Sequence, residues 1–76
     1  MATGKIVIIK EGDRGLFGYV CDDAVKSYDP TLNVYFDSRC FANSEAIGLG
    51  DHVEFSYDLN NRASKPRMRF DSMRLI

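Results

Sequence analysis

The sequence predicts an all-β fold, five short strands arranged as a small barrel or sandwich. Three observations predict it. Runs rich in β-branched and aromatic residues recur at short spacing, separated by clusters of Gly, Pro, Asn and Asp. No segment sustains the apolar period of a helix. A chain of 76 residues has room for one core only, and closing a small sheet on itself removes edges that would otherwise pair with other chains.

The elements follow in order. Lys5 to Lys10 is a β-branched run and the first strand. Glu11-Gly12-Asp13-Arg14-Gly15 is a turn, because glycine supplies backbone angles that other residues resist. Leu16 to Cys21 is the second strand, and Asp22 to Thr31 a polar loop with a turn at Tyr28-Asp29-Pro30. Leu32 to Asp37 is the third strand. Ser38 to Leu49 has a mixed pattern, with one or two helical turns expected around Ser44 to Ile47. Gly48-Leu49-Gly50-Asp51 turns into the fourth strand, His52 to Tyr57. Asp58 to Pro66 is a loop, and Arg67 to Leu75 the fifth strand.

Side chains alternate between the faces of a strand. Leu16, Gly18 and Val20 share a face, as do Leu32, Val34 and Phe36. With Val53 and Phe55 they form the expected core. Phe17, Tyr19 and Tyr35 then point outward on neighbouring strands. Bases of single-stranded nucleic acid stack on such rings, and arginine supplies phosphate attraction. In the fifth strand Met68 and Phe70 have one parity and Met73 and Leu75 the other. A bulge between Phe70 and Met73 would return both pairs to the core, leaving Arg67 and Arg69 outward.

Net charge is −1, which excludes a protein that grips nucleic acid by bulk positive charge. The charge is unevenly spread: Lys5 and Lys10 lie in an acid-free start, residues 11–58 carry a net −7, and residues 59–76 a net +4. No apolar run approaches the roughly 18 residues of a membrane span. The opening Met1-Ala2-Thr3-Gly4 lacks the apolar centre of a secretory leader, so a cytoplasmic location is expected. Cys21, Cys40 and His52 are too few and too scattered for a structural zinc site, and no cofactor is expected. Scattered carboxylates, a lone His52 and the lack of a phosphate-cradling loop give no enzyme reading.

These residues resemble the cold-shock domains. The opening pattern G-x-[IV]-K-x-[FW] is matched in part by Gly4-Lys5-Ile6-Val7-Ile8-Ile9. Arg14-Gly15-Leu16-Phe17-Gly18-Tyr19-Val20 is similar to the motif K-G-F-G-[FY]-[IV], with Leu16 inserted. Val34-Tyr35-Phe36-Asp37 resembles V-F-V-H, and Gly50-Asp51-His52-Val53-Glu54-Phe55 resembles G-D-x-V-x-F. Lys65-Pro66-Arg67 is similar to the G-P before the last strand. The resemblance implies a five-stranded antiparallel barrel of the oligonucleotide-binding fold over residues 1–76. It also implies binding of single-stranded RNA or DNA, in the manner of RNA chaperones and translation regulators. The expected contacts are Phe17, Tyr19 and Tyr35 for stacking, with Lys5, Arg14, Arg67 and Arg69 for phosphates.

The departures shape the expectation. The family's histidine is Asp37, whose charge opposes a phosphate. Its strand-one lysine and tryptophan-type ring are Val7 and Ile8, so binding by the isolated domain is expected to be weak. Strand one is apolar on both faces, Ile6 and Ile8 on one and Val7 and Ile9 on the other. Such a strand is either buried twice or covered by a partner. The alternative function is therefore a degenerate domain from a multi-domain translation regulator, meeting a protein or neighbouring domain through Val7 and Ile8.

Overall fold

A computed structural model describes residues 2–42, 46–58 and 66–76, with the backbone alone at Asp58. The strands are β1 (Ala2–Gly12), β2 (Gly15–Asp22), β3 (Val34–Asp37), β4 (His52–Phe55), β5 (Tyr57–Asp58), β6 (Arg67–Met68) and β7 (Arg74–Leu75). They form one sheet in the order β5-β6-β3-β2-β1-β4-β7. The fold is all-β and the sheet is curled and barrel-like. β4 and β5 lie well apart in that order, yet Ser56 alone separates them in sequence. The sheet must curl to let both pairings exist.

Several expectations are corrected. The fourth and fifth strands each divide into two segments, so the described residues carry seven strand segments rather than five strands. The sheet is also not wholly antiparallel: β3 and β6 pair in parallel, Tyr35 opposite Arg67. A parallel neighbour requires a crossover rather than a hairpin, and the chain from β3 reaches β6 only after passing through β4 and β5. Residues 44 and 45 of the helical turn expected around Ser44 to Ile47 lie outside the described residues; Ala46 and Ile47 are not helical. Leu32, expected in the core, closes a 3-10 turn (Pro30–Leu32) and is exposed. Asp29 caps that turn by accepting the Thr31 N–H at 3.0 Å.

β1 is the longest strand because it has two partners. Ala2 to Lys5 pairs with β4, and Gly4 to Gly12 with β2. Its register with β2 shifts between Ile6 and Ile8: Ile6 faces Val20, Ile8 faces Tyr19, and Val7 is the extra residue of a bulge. The bulge reverses the parity of everything after it. Ile6 is buried and Ile9 packs against the core, whereas Ile8 is 37% exposed. Ile6 and Ile8 therefore do not share a face, and the doubly apolar run is a strand that changes phase midway. Gly18 allows the close approach. A Cβ there would stand 1.9 Å from the Ile8 carbonyl oxygen.

Inside the curl, Ile6, Val20, Val34, Phe36, Val53 and Phe55 are the buried centre, with Cys40, Phe41, Met68 and Met73 closing it. Each fully buried side chain of this size stabilises the fold by about 1.5–3 kcal/mol. The expected break in the last strand is present in altered form. Met68 and Met73 are both buried, but Phe70 is 57% and Leu75 42% exposed. A turn at Phe70 and Asp71, with Asp71 at φ 57°, resets the phase between the two methionines and leaves Phe70 outside. Cys21 and Cys40 are free thiols, and burial pushes the Cys40 thiol above its ordinary pKa.

Candidate functional site

The outer face of β1, β2 and β3 is a grid set by strand register. Its first row is Lys10, Phe17 and Asp37. Its second row is Ile8, Tyr19 and Tyr35, continued by Arg67 on β6. A third row joins His52, Lys5 and Cys21. The three expected rings thus lie together on two adjacent strands. All three are partly exposed rather than free-standing, because each leans on its neighbours. Tyr19 and Tyr35 meet edge to face, with centroids 5.7 Å apart and planes at 71°. Phe17 lies beside Gly12, where a Cβ would come within 3.0 Å of the ring.

The expected cations divide. The Arg67 guanidinium sits 5.6 Å from the centre of the Tyr35 ring, a cation–π arrangement that holds positive charge above the face. Arg14, in the β1–β2 turn, is exposed and lines a cavity of about 440 Å³ with Phe17, Tyr35 and Ser38. The Ser38 hydroxyl donates to the Arg14 carbonyl at 2.9 Å and fixes the turn against the end of β3. Lys5 is exposed in the third row. Arg69 lies past the end of β6, and its backbone N–H donates to the Ser56 carbonyl at 2.8 Å. Its main chain is therefore fastened beside the β4–β5 junction instead of β3.

Several contributors to this face were not among the candidates. Lys10 and Ile8 reach it only because of the bulge, and a strand apolar on both faces was the signal for one. Arg39 and Phe70 were missed for another reason. Asp37 Oδ2 accepts from Arg39 Nη2 at 2.7 Å, and Oδ1 accepts from Nε at 3.2 Å and from the Arg39 backbone N–H at 2.9 Å. The Arg39 guanidinium in turn lies 4.4 Å from the Phe70 ring centre. The spacing Asp-Ser-Arg permits this clasp, but Phe70 comes from a distant turn that spacing alone does not place.

The clasp changes the electrostatics of the face. The Arg39 hydrogen bond holds the Asp37 carboxyl below its ordinary value of 3.8, working against the partial burial that would raise it. The two charges offset each other, so Asp37 does not leave the face acidic. A carboxyl lowered on folding contributes stability that is present above its ordinary range and lost as pH falls through the lower folded value. The denaturant midpoint is accordingly expected to fall as pH drops below about 4, and part of that fall should vanish in Asp37→Asn. At the other end of the grid, His52 Nε2 lies 2.6 Å from Asp23 Oδ2, and the Thr3 hydroxyl donates to the same oxygen at 2.8 Å. These contacts, the His52 hydrogen bond first, lower the Asp23 pKa.

Val7 and Ile8, expected together as a partner surface, are separated by the bulge. Ile8 joins the ring face while Val7 is half-buried at the bulge itself. Among the described residues no group of three His, Cys, Asp or Glu side chains is placed to hold a metal ion. Among them, too, no helix is long and apolar enough to cross a membrane. Comparison of the chain with protein-family models, with curated proteins and with solved structures gave no match.

Proposed function

We propose that this chain is a single-stranded nucleic-acid-binding domain of the cold-shock type, built on an oligonucleotide-binding-fold barrel. The observation that carries the reading is the convergence of Phe17, Tyr19 and Tyr35 on one partly exposed face. Strand order supports the fold assignment: β1 pairs with both β2 and β4, and β3 runs parallel to the first segment of the final strand. Bases stack on the rings, each worth about 1–3 kcal/mol. Lys5, Lys10, Arg14 and Arg67 border the rings and attract the phosphates that connect the bases. Ile8 ends the second row on β1 and gives apolar contact without a π face, which weakens the site relative to one that also carries a ring on β1. No feature of the site requires a 2′-hydroxyl, so RNA and DNA both fit. A cytoplasmic role as an RNA chaperone or translation regulator accords with weak, sequence-tolerant stacking.

The test is a titration of short single-stranded RNA followed by backbone amide shifts at several salt concentrations. Shifts are expected on Phe17, Tyr19 and Tyr35 and in the Arg14 turn. Four phosphate contacts predict a slope of about −3 for log affinity against log salt, and removal of one cation should reduce it by about 0.7. No shift with millimolar RNA at low salt would overturn the reading. The exposure of Ile8 on this same face favours one other function, docking of a protein or neighbouring domain, and the two would compete for the same surface.

A further inference from the structure

We propose that Asp37 selects the base bound over Phe17, favouring one that presents an amino group, such as cytosine, over uracil. This assignment rests on the ring face being a single-stranded nucleic-acid site. Phe17 and Asp37 are direct cross-strand partners and line the same cavity of about 440 Å³, with Arg14, Ser38 and Arg39 around it. Directly opposed residues on one face stand about 4.5–5.5 Å apart at Cβ. A base stacked on Phe17 therefore brings one edge to the carboxylate.

The carboxylate is fixed and has capacity left. Oδ1 accepts two N–H groups of Arg39, and Oδ2 accepts the Nη2 group. Each carboxylate oxygen has two lone-pair directions, so one at Oδ2 is available to a further donor. Arg39 is itself seated on Phe70, which keeps the pair from swinging away. An ionised carboxylate accepts and never donates. The N4 amino group of cytosine donates to it, whereas the O4 of uracil at the same edge is an acceptor and is repelled. The preference thus has an attractive and a repulsive part, as specific sites commonly do.

The experiment compares 5′-labelled hexamers of cytidine and uridine by fluorescence anisotropy at one low salt concentration. The wild-type chain should bind the cytidine hexamer about five- to tenfold more tightly. Asp37→Asn, which presents an amide able to donate or accept, should bring the two within about twofold, chiefly by gaining affinity for uridine. Asp37→Ser, checked like the first variant by circular dichroism, should do the same. A purely structural role for Asp37 would move both affinities together and leave their ratio unchanged. Equal or tighter uridine binding by the wild type, or a full preference retained in both variants, overturns the assignment while the ring face stands. Failure of the wild type to bind either hexamer overturns the reading of the face, and the assignment with it.

Discussion

Replacing Phe17, Tyr19 and Tyr35 together by alanine is expected to lower affinity for single-stranded RNA by more than about a hundredfold, because each ring supplies roughly 1–3 kcal/mol of stacking. The fold should survive. Val20, Val34 and Phe36, which alternate with these rings along β2 and β3, face the core and are untouched. The loss of cross-strand ring pairs costs about 0.2–1 kcal/mol each, small beside the core. Among the single variants Tyr35→Ala should be the most damaging. It removes a platform, the edge-to-face partner of Tyr19 and the seat of Arg67 at once. Tyr35→Phe should bind nearly as well as the wild type, since the ring is what these contacts use. Isothermal titration with a nucleic-acid hexamer, alongside thermal melting, checks both halves. Binding that persists in the triple variant would place the site elsewhere.

The second large effect is on stability. Gly18→Ala is expected to destabilise the fold by about 3 kcal/mol or more, at the upper end of what overpacking costs. A domain of this length has only about 4–11 kcal/mol in total. The added methyl group would meet the Ile8 carbonyl oxygen at 1.9 Å and the Ile9 Cα at 3.0 Å. Both are main-chain atoms, so no rotamer change relieves the clash and β1 itself must move. The bulge at Val7 then cannot hold its register, and Ile8 and Lys10 leave the ring face. Gly48→Ala is the control: its new methyl would have only Asp51 Oδ2 near it, at 3.8 Å. That variant should match or slightly exceed the wild type. Urea denaturation followed by circular dichroism measures both. A wild-type midpoint for Gly18→Ala would contradict the pairing of β1 with β2.

Strand alternation made much of this legible in the sequence. It separates Val20, Val34, Phe36, Val53 and Phe55 from Phe17, Tyr19 and Tyr35, and the structure keeps that division. Alternation fails where the chain leaves strand geometry. At Val7 an extra residue reverses the phase, and at Asp71 a left-handed residue resets it. Leu32 has core composition and the right parity, but the preceding proline starts a 3-10 turn and ejects it. The pairing of β3 with β6 and the seating of Arg39 on Phe70 are long-range facts. They depend on how the sheet curls, which no local pattern encodes.

The parallel pairing of β3 with β6 has a consequence for how the molecule assembles. β1, β2 and β3 are successive neighbours and can zip up from hairpins soon after they are made. The free edge of β3 finds its partner only at Arg67, and the outer edge of β4 only at Arg74 and Leu75. Contacts of such sequence separation slow folding, because the intervening loop must close before any pairing rewards it. During synthesis the first three strands therefore wait as an open sheet with an unpaired edge, a template for other chains. Closure waits for the final third of the chain, so variants that weaken β6 should aggregate during expression more than their equilibrium stability would suggest.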